Sequence, residues 1–406
     1  MTSFDFHRRI ETVKESMNRN DIDAILLLNT RNIYWLSGAA QASQLVLPRD
    51  GDPILMVKRN IELALKHSWF EESWIQPLGS TSEAISMVKS TMDGKDGTIG
   101  MELAGLPTTY FFKFKKGLGP DIEISNISKI LRECRMVKDY KELERCRVAA
   151  RVAEKTQGVV YEMLMENFKT GITEKDVAAE MIRVAKKNRA EHYCIYSNNM
   201  YTNFNNFFIL TSGEALWTPS TFPIMSGTGF SPAIPFGVSD RELQEGDMVV
   251  CDYGLIVDGY HADHARSFVV NGKMPKHYEE RYRNLKMAYD RTMDDVEEGM
   301  VANDIFETMV KELQRLRDPV HGTRVERYFQ GNGEYYQALG HGIGLELDEP
   351  PFISRNNQTV LKRNMVLSIE PKIIIPGWGA INFEDDFIVK ESSPPERMTN
   401  SRFIDF

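Results

Sequence analysis

No stretch of this 406-residue chain approaches the roughly 18 consecutive apolar residues of a membrane-spanning helix. The first 20 residues are charged and polar, without the apolar core of a secretion signal. Cysteine is scarce: Cys134, Cys146, Cys194 and Cys251 are widely spaced, and no two form a CxxC pair. That spacing excludes a tight disulfide framework and argues against a thiolate zinc site. The four read as free thiols of a reducing compartment, so a cytoplasmic protein is expected. Positive charge is not in excess either. Lys plus Arg number 49 against 58 Asp plus Glu, a formal charge of -9. A sequence-independent nucleic-acid binder leans basic, so nucleic acid and anionic lipid are not expected partners. What is present is ordinary globular material: 42% apolar and 26% charged residues, enough for a sizeable core. The length favours two or three domains.

The first third alternates helix-like and strand-like stretches. Residues 6–20 carry apolar side chains at helical spacing among many charges, and residues 61–67 do the same over a shorter span. Short apolar runs occupy residues 24–28, 33–36, 45–47, 54–57 and 98–101. Such alternation predicts an α/β domain with a partly parallel sheet. The texture changes near residues 132–138. Asp139 with Glu142 resembles a capping box, and a helical pattern follows to about residue 167. Thr173 is placed to cap a second helix reaching about residue 188. A β-like, aromatic region then fills residues 192–270. Helical patterns return over residues 277–298 and 302–317, followed by a second β-like region over residues 325–389. Two helices and then strands, twice over, predict an internally duplicated domain. The expected division is residues 1–133 and residues 139–406.

Three segments carry chemistry. In the first, an apolar strand (Val249, Val250) ends in Asp252, a turn at Asp258-Gly259 reverses the chain, and a second strand delivers Asp263. A hairpin of that length brings two carboxylates to one place; a solvated hairpin with surface acids is the plain alternative. The apolar flanks, Phe268 to Val270 included, argue for burial, which makes bare carboxylates costly. In the second, His341 sits among Gly340, Gly342 and Gly344, and glycine permits close backbone approach. In the third, Glu370 and Glu384 each interrupt an apolar run, and Asn382, Glu384 and Asp386 would share one strand face. Each feature alone is weak. Together they give four acids and one histidine in buried, strand-like settings. Like charges so close cannot all ionise without cations. Two divalent ions would balance four carboxylates, and oxygen donors with one imidazole suit Mn, Co, Fe or Zn. A pair of ions about 3.5–4 Å apart can activate a water.

At these residues the chain resembles the pita-bread metallopeptidases: methionine aminopeptidase, aminopeptidase P and prolidase, with creatinase as a metal-free relative. The DxG, DxxR, HGIG, EP and ED elements occur in that family's order, and residues 23–26 and 32–38 resemble the creatinase-type N-terminal domain. The resemblance spans nearly the whole chain. It implies an α/β N-terminal domain followed by a pita-bread catalytic domain with pseudo-twofold duplication. It implies two divalent metal ions, with Asp252 binding one ion alone, Asp263 and Glu384 bridging, and His341 and Glu370 on the other ion. Glu370 would also handle the proton of the attacking water. The implied activity is that of an Xaa-Pro dipeptidase or aminopeptidase P, with a metal-bridging hydroxide as the attacking group. A homodimer is implied as well.

The substrate shell departs from the family pattern. Its peptidases carry two further histidines and an arginine near the scissile bond. Here no His lies between His192 and His261, and Phe236 or a neighbour stands in that place. Asp348 replaces the histidine after HGIG, and Asn382 the arginine. Asp348, Phe236, Asn382, Tyr196 and Tyr201 are therefore the candidate substrate residues. An acid and aromatic faces suit a cationic group. His264 would be a replacement donor, or a surface or structural residue. Two alternatives stand beside the dipeptide reading. One is a non-peptidase of this fold acting on a small cationic or zwitterionic substrate, as in dimethylsulfoniopropionate lyases, which cleave a C–S bond. The other is a non-catalytic binding protein, for which retention of all five metal-ligand types is the opposing observation.

Overall fold

The computed structural model describes residues 5–92, 96–191, 208–218, 225–315, 338–375 and 377–404. It divides into two compact units, Met1–Arg135 and Met136–Phe406.

The first unit is built on a six-stranded mixed sheet: β1 (Ala24–Leu27), β2 (Ser43–Pro48), β3 (Ile54–Val57), β4 (Ile75–Pro77), β5 (Gly97–Met101) and β6 (Ile122–Asn126), in the order β4-β3-β2-β1-β5-β6. β1 pairs antiparallel with β2 and parallel with β5. Leu26, Val46, Met56, Ile99 and Met101 pack with Ala84, Val88 and Phe114 to form its core. The helix Phe6–Arg19 buries Ile10, Val13 and Met17, the spacing of one helical face. The apolar run at residues 33–36 lies within a helix, Thr30–Ser37. Local chemistry explains this: Asn29 accepts from the Arg31 N–H at the start, and Gly38 takes a left-handed conformation at the end.

The second unit opens with the capping box anticipated at its start. Asp139 accepts from the Glu142 N–H and Glu142 returns the bond, both at 2.9 Å. The helix Tyr140–Tyr161 follows and ends in a π-turn, Glu162–Glu166. Thr173 and Asp176 cap the helix Glu174–Lys187 in the same way. Next come three antiparallel strands, β7 (Phe208–Ser212), β8 (Met248–Val257) and β9 (Tyr260–Val269). The helices Lys276–Asp294 and Ala302–Arg315 repeat the two-helix pattern. They lead to β10 (Ala338–Gly342), β11 (Glu349–Ser354), β12 (Val366–Ile369), β13 (Lys372–Ile375), β14 (Gly379–Asn382), β15 (Asp385–Ile388) and β16 (Glu396–Arg397). β11-β10-β12-β15-β16 form one sheet, and β13-β14 a separate hairpin. One apolar core joins these parts: Met248 and Val250, Tyr282 and Tyr289, Phe306 and Met309, Leu367 and Phe383.

Residues 381–387 do not form one alternating strand. The chain leaves β14 at Asn382 and enters β15, in another sheet, at Asp385. Glu384 lies at that break, and Glu370 lies at the matching break between β12 and β13. Both glutamates therefore sit where the backbone changes sheets, not within a strand.

Candidate metal centre

β8 and β9 are buried along their whole length. Asp258 and Gly259 both have positive φ and close a two-residue turn between them. In this register Asp252 faces Ala265, and Gly254 faces Asp263. Asp252 and Asp263 are thus diagonal neighbours on one face of the ladder. The solvated-hairpin alternative is overturned by the burial.

β10 brings His341 opposite Ser368 of β12. The flanking glycines have a steric reason. A Cβ on Gly340 would run into the Ser368 carbonyl oxygen, and one on Gly342 into that of Pro350. His341 Nδ1 lies 3.1 Å from the Gly342 carbonyl, which leaves Nε2 toward the acids. Glu370 is tied to β10 through its N–H and the Leu339 carbonyl at 2.8 Å. Glu384 is tied to β9 through its N–H and the Ala265 carbonyl at 3.0 Å, and it accepts from Ser368 Oγ at 3.0 Å.

The result is three overlapping sets of donor atoms, each within 4.8 Å: Asp252, Asp263 and Glu384; His341, Glu370 and Glu384; Asp263, His341 and Asp348. Burial raises the carboxyls of Asp252, Asp263 and Glu384, and the neighbouring acids add to it. Burial would lower His341, but Asp348, Glu370 and Asp263 outweigh it and push the ring up to about 9. The cluster therefore attracts positive charge. Oxygen donors with one imidazole fit a divalent cation of the Mn, Co, Fe or Zn type, and such an ion relieves the repulsion among buried carboxylates.

All five residues expected as metal ligands thus meet in one place. The substrate candidates fare differently. Asp348 lies 3.4 Å from His341 Nε2, with its side chain 43% exposed. Asn382 is buried, and its Nδ2 donates to Asp252 Oδ2 at 3.0 Å. It holds a metal-ligand candidate instead of lining an open pocket. Phe236 is buried in a segment that doubles back, with the Gly237 N–H on the Ser226 carbonyl at 2.7 Å. Tyr196 and Tyr201 lie outside the described residues, as does Cys194. Cys134, Cys146 and Cys251 are free thiols. His264 is not a surface residue. It is fully buried between the Glu384 carbonyl (2.8 Å from Nδ1) and Ser401 Oγ (2.7 Å from Nε2).

Two residues important to the site were missed as site residues. Arg266 donates to Asp385 Oδ1 at 2.7 Å and to the Glu384 carbonyl at 3.0 Å, so it fixes the backbone of Glu384. Lys372 puts Nζ 2.5 Å from Glu370 Oε2 and 3.4 Å from Asp252 Oδ2. Burial would lower its ammonium, but Glu370, Asp252 and Glu384 reverse this and hold it charged well above the usual lysine range. A signal existed: a lone lysine two residues after Glu370, just before three consecutive isoleucines.

The sequence profile of the creatinase/prolidase N-terminal domain matches residues 9–137, and that of metallopeptidase family M24 matches residues 144–391. An Xaa-Pro dipeptidase from Pyrococcus furiosus is 27% identical over 398 residues, covering 97% of this chain and 98% of its own length. The Xaa-Pro dipeptidase from Pyrococcus horikoshii is 25% identical over 399 residues, covering 97% of each. Among solved structures, an Xaa-Pro dipeptidase from Bacillus anthracis matches with a TM-score of 0.78 at 22% identity, over 98% of this chain and 99% of the other. The Pyrococcus horikoshii prolidase matches at 0.76 and 24%, over 98% and 99%. These two likenesses speak for the fold. With the profile covering well over half the sequence and the donor cluster inside the matched span, the chain belongs to metallopeptidase family M24, in its form with a creatinase/prolidase-type N-terminal domain and a pita-bread catalytic domain.

Proposed function

We propose that this chain is a metal-dependent peptidase of the Xaa-Pro dipeptidase type. The observation that carries the proposal is the meeting of Asp252, Asp263, His341, Glu370 and Glu384 in overlapping donor sets within a buried cluster. The names of the Pyrococcus relatives, matched along nearly their full length, support the substrate class. By donor count the five residues have capacity for two divalent ions. A divalent ion bound here would supply a Lewis acid and make a water acidic enough to attack at neutral pH.

The protein's own groups divide the remaining work. Glu370 takes the proton of the attacking water on a carboxylate oxygen and returns it to the leaving amine. Its partner Lys372 restricts which of its oxygens is available. Asn382 and Lys372 orient Asp252 from one side. The Gly342 carbonyl selects the His341 ring orientation. Asp348 is half exposed beside His341, where a dipeptide's free ammonium would find a counter-charge. Phe236 is a further candidate contact.

The same carboxylate favours a second reading, action on a small cationic or zwitterionic substrate, including C–S cleavage. Hydrolysis of Xaa-Pro dipeptides, before and after chelation and with metal content measured in the same preparation, separates the two. Rapid metal-dependent cleavage establishes the peptidase. Bound metal without cleavage transfers the search to small cationic substrates. We also propose a cytoplasmic homodimer whose working metal is manganese, cobalt, iron or zinc. Light scattering after size exclusion tests the dimer. No helix among the described residues is long and apolar enough to cross a membrane.

A further inference from the structure

Resting on that metal-centre reading, we propose that Ser401 and Thr399 are positioning residues of the centre. They act at one remove, through His264, Arg266 and Asp385, on the backbone that carries Glu384.

Glu384 belongs to two of the three donor sets, so its placement bears on both. It lies at the break between β14 and β15, where an isolated bridge to Ala265 pairs its backbone. Its carbonyl gains two side-chain donors, His264 Nδ1 at 2.8 Å and Arg266 Nη1 at 3.0 Å. Both of these side chains lean on Ser401. The Ser401 carbonyl accepts from Arg266 Nε at 3.3 Å and from Nη2 at 3.2 Å. Ser401 Oγ lies 2.7 Å from His264 Nε2. Burial, and then the Arg266 guanidinium, keep that ring neutral. With Nδ1 donating to the Glu384 carbonyl, Nε2 accepts, so the Ser401 hydroxyl is the donor.

Thr399 holds the next two residues. Its Oγ1 donates to Asp385 Oδ1 at 2.9 Å and accepts the Asp386 N–H at 3.0 Å. The Met398 N–H adds a bond to the Asp386 carbonyl at 2.7 Å. Residues 398–404 are anchored in their turn. The Phe403 ring centre lies 4.2 Å from the Arg266 guanidinium carbon and 5.1 Å from the Phe383 ring centre, edge to face. The Ile404 N–H donates to Tyr282 Oη at 3.0 Å. The two hydroxyls therefore tie an anchored segment to the backbone on which the Glu384 carboxylate depends. Removing either one leaves a buried partner atom short of a bond, a cost that the local backbone relieves by shifting.

The test titrates metal-free full-length protein with Mn²⁺ by isothermal calorimetry and measures denaturant unfolding on the same preparations. Ser401→Ala and Thr399→Val should each weaken Mn²⁺ binding about tenfold or more, the scale of losing a group that supports a metal ligand. Thr399→Ser, which keeps the hydroxyl, should restore the wild-type affinity. Asn400→Ala, at an exposed position of the same segment, should bind as the wild type. Folded Ser401→Ala and Thr399→Val proteins that keep the wild-type affinity would overturn the proposal, even if both unfold more easily, since that is the mark of a purely structural bond. Ser401→Ala, at a half-buried position, decides the matter should Thr399→Val fail to fold. An equal loss in Asn400→Ala would also overturn it. If the wild type binds no Mn²⁺, the metal-centre reading falls and this inference with it.

Discussion

Asn382 Nδ2 donates to Asp252 Oδ2 at 3.0 Å across 130 residues of chain, and the same oxygen faces Lys372 Nζ at 3.4 Å. The amide fixes which oxygen of Asp252 remains open to a cation. Asn382→Ala removes that hold without removing a metal-ligand candidate. Metal affinity should fall about 10–100-fold, the usual loss when a group supporting a metal ligand is removed. Titration of the metal-free protein checks this; unchanged affinity would show that Asp252 needs no such support.

Asp263 contributes to two of the three donor sets. Asp263→Asn preserves shape and removes the charge. Activity on Xaa-Pro dipeptides should drop by more than the ~10–100-fold expected from a supporting residue, and metal content should fall with it. The protein should remain folded by circular dichroism. Retained metal and activity would reject Asp263 as a ligand.

Removing metal should also lower stability, because the buried acids then lose the ion's charge and repel one another more strongly. A ligand present at about a thousandfold over its dissociation constant adds ~4 kcal/mol to the folded state. Chelation should therefore lower the melting temperature of the second unit, and added Mn²⁺ should restore it. An identical melting curve with and without chelator would argue against a buried ion site.

Arg266 and Asp385 form a fully buried pair at 2.7 Å. Arg266→Ala leaves Asp385 charged and without that partner, and should cost about 3–5 kcal/mol. Denaturant unfolding of the full chain measures this directly. A loss under about 1 kcal/mol would mean that the site relaxes around the missing guanidinium.

Glu102, in the first unit, accepts from the N–H groups of Leu28 (2.9 Å) and Asn29 (2.8 Å). Burial raises its carboxyl above the ordinary range, against the lowering effect of Asn29, Asn32, Leu28 and Arg135. The sign follows from linkage. Above the unfolded-state value the unfolded chain has released this proton while the folded unit still holds it. Stability contributed by this group thus falls as pH rises through the interval up to the raised folded value, then levels off. Unfolding midpoints of the wild type and Glu102→Gln from about pH 4 to about pH 7 should differ in slope, the variant being flatter. Parallel profiles would refute the assignment.

Much of this architecture was legible in the sequence because its causes are local. Asp139 with Glu142, and Thr173 with Asp176, cap helices through bonds spanning three residues. The Asp258-Gly259 turn sets the hairpin register, and that register alone makes Asp252 and Asp263 neighbours on one face. The glycines around His341 announced a close backbone approach. The apolar run at residues 33–36 left its element open, because apolarity alone does not distinguish helix from strand; it is helical, bounded by Asn29 and Gly38.

The sequence by itself determined the donor types, their order and the helix and hairpin signals, since each depends on residues a few positions apart. Tertiary structure decided the rest. It placed Glu370 and Glu384 at the points where the chain changes sheets, a fact that no strand periodicity contains. It turned Asn382 toward Asp252, brought Asp348 to His341, and carried Lys372 to Asp252, 120 residues away in the chain. Those contacts depend on how two sheets and a hairpin pack over a common apolar core. Charge compensation within that core joins side chains that pattern and spacing along the chain cannot pair.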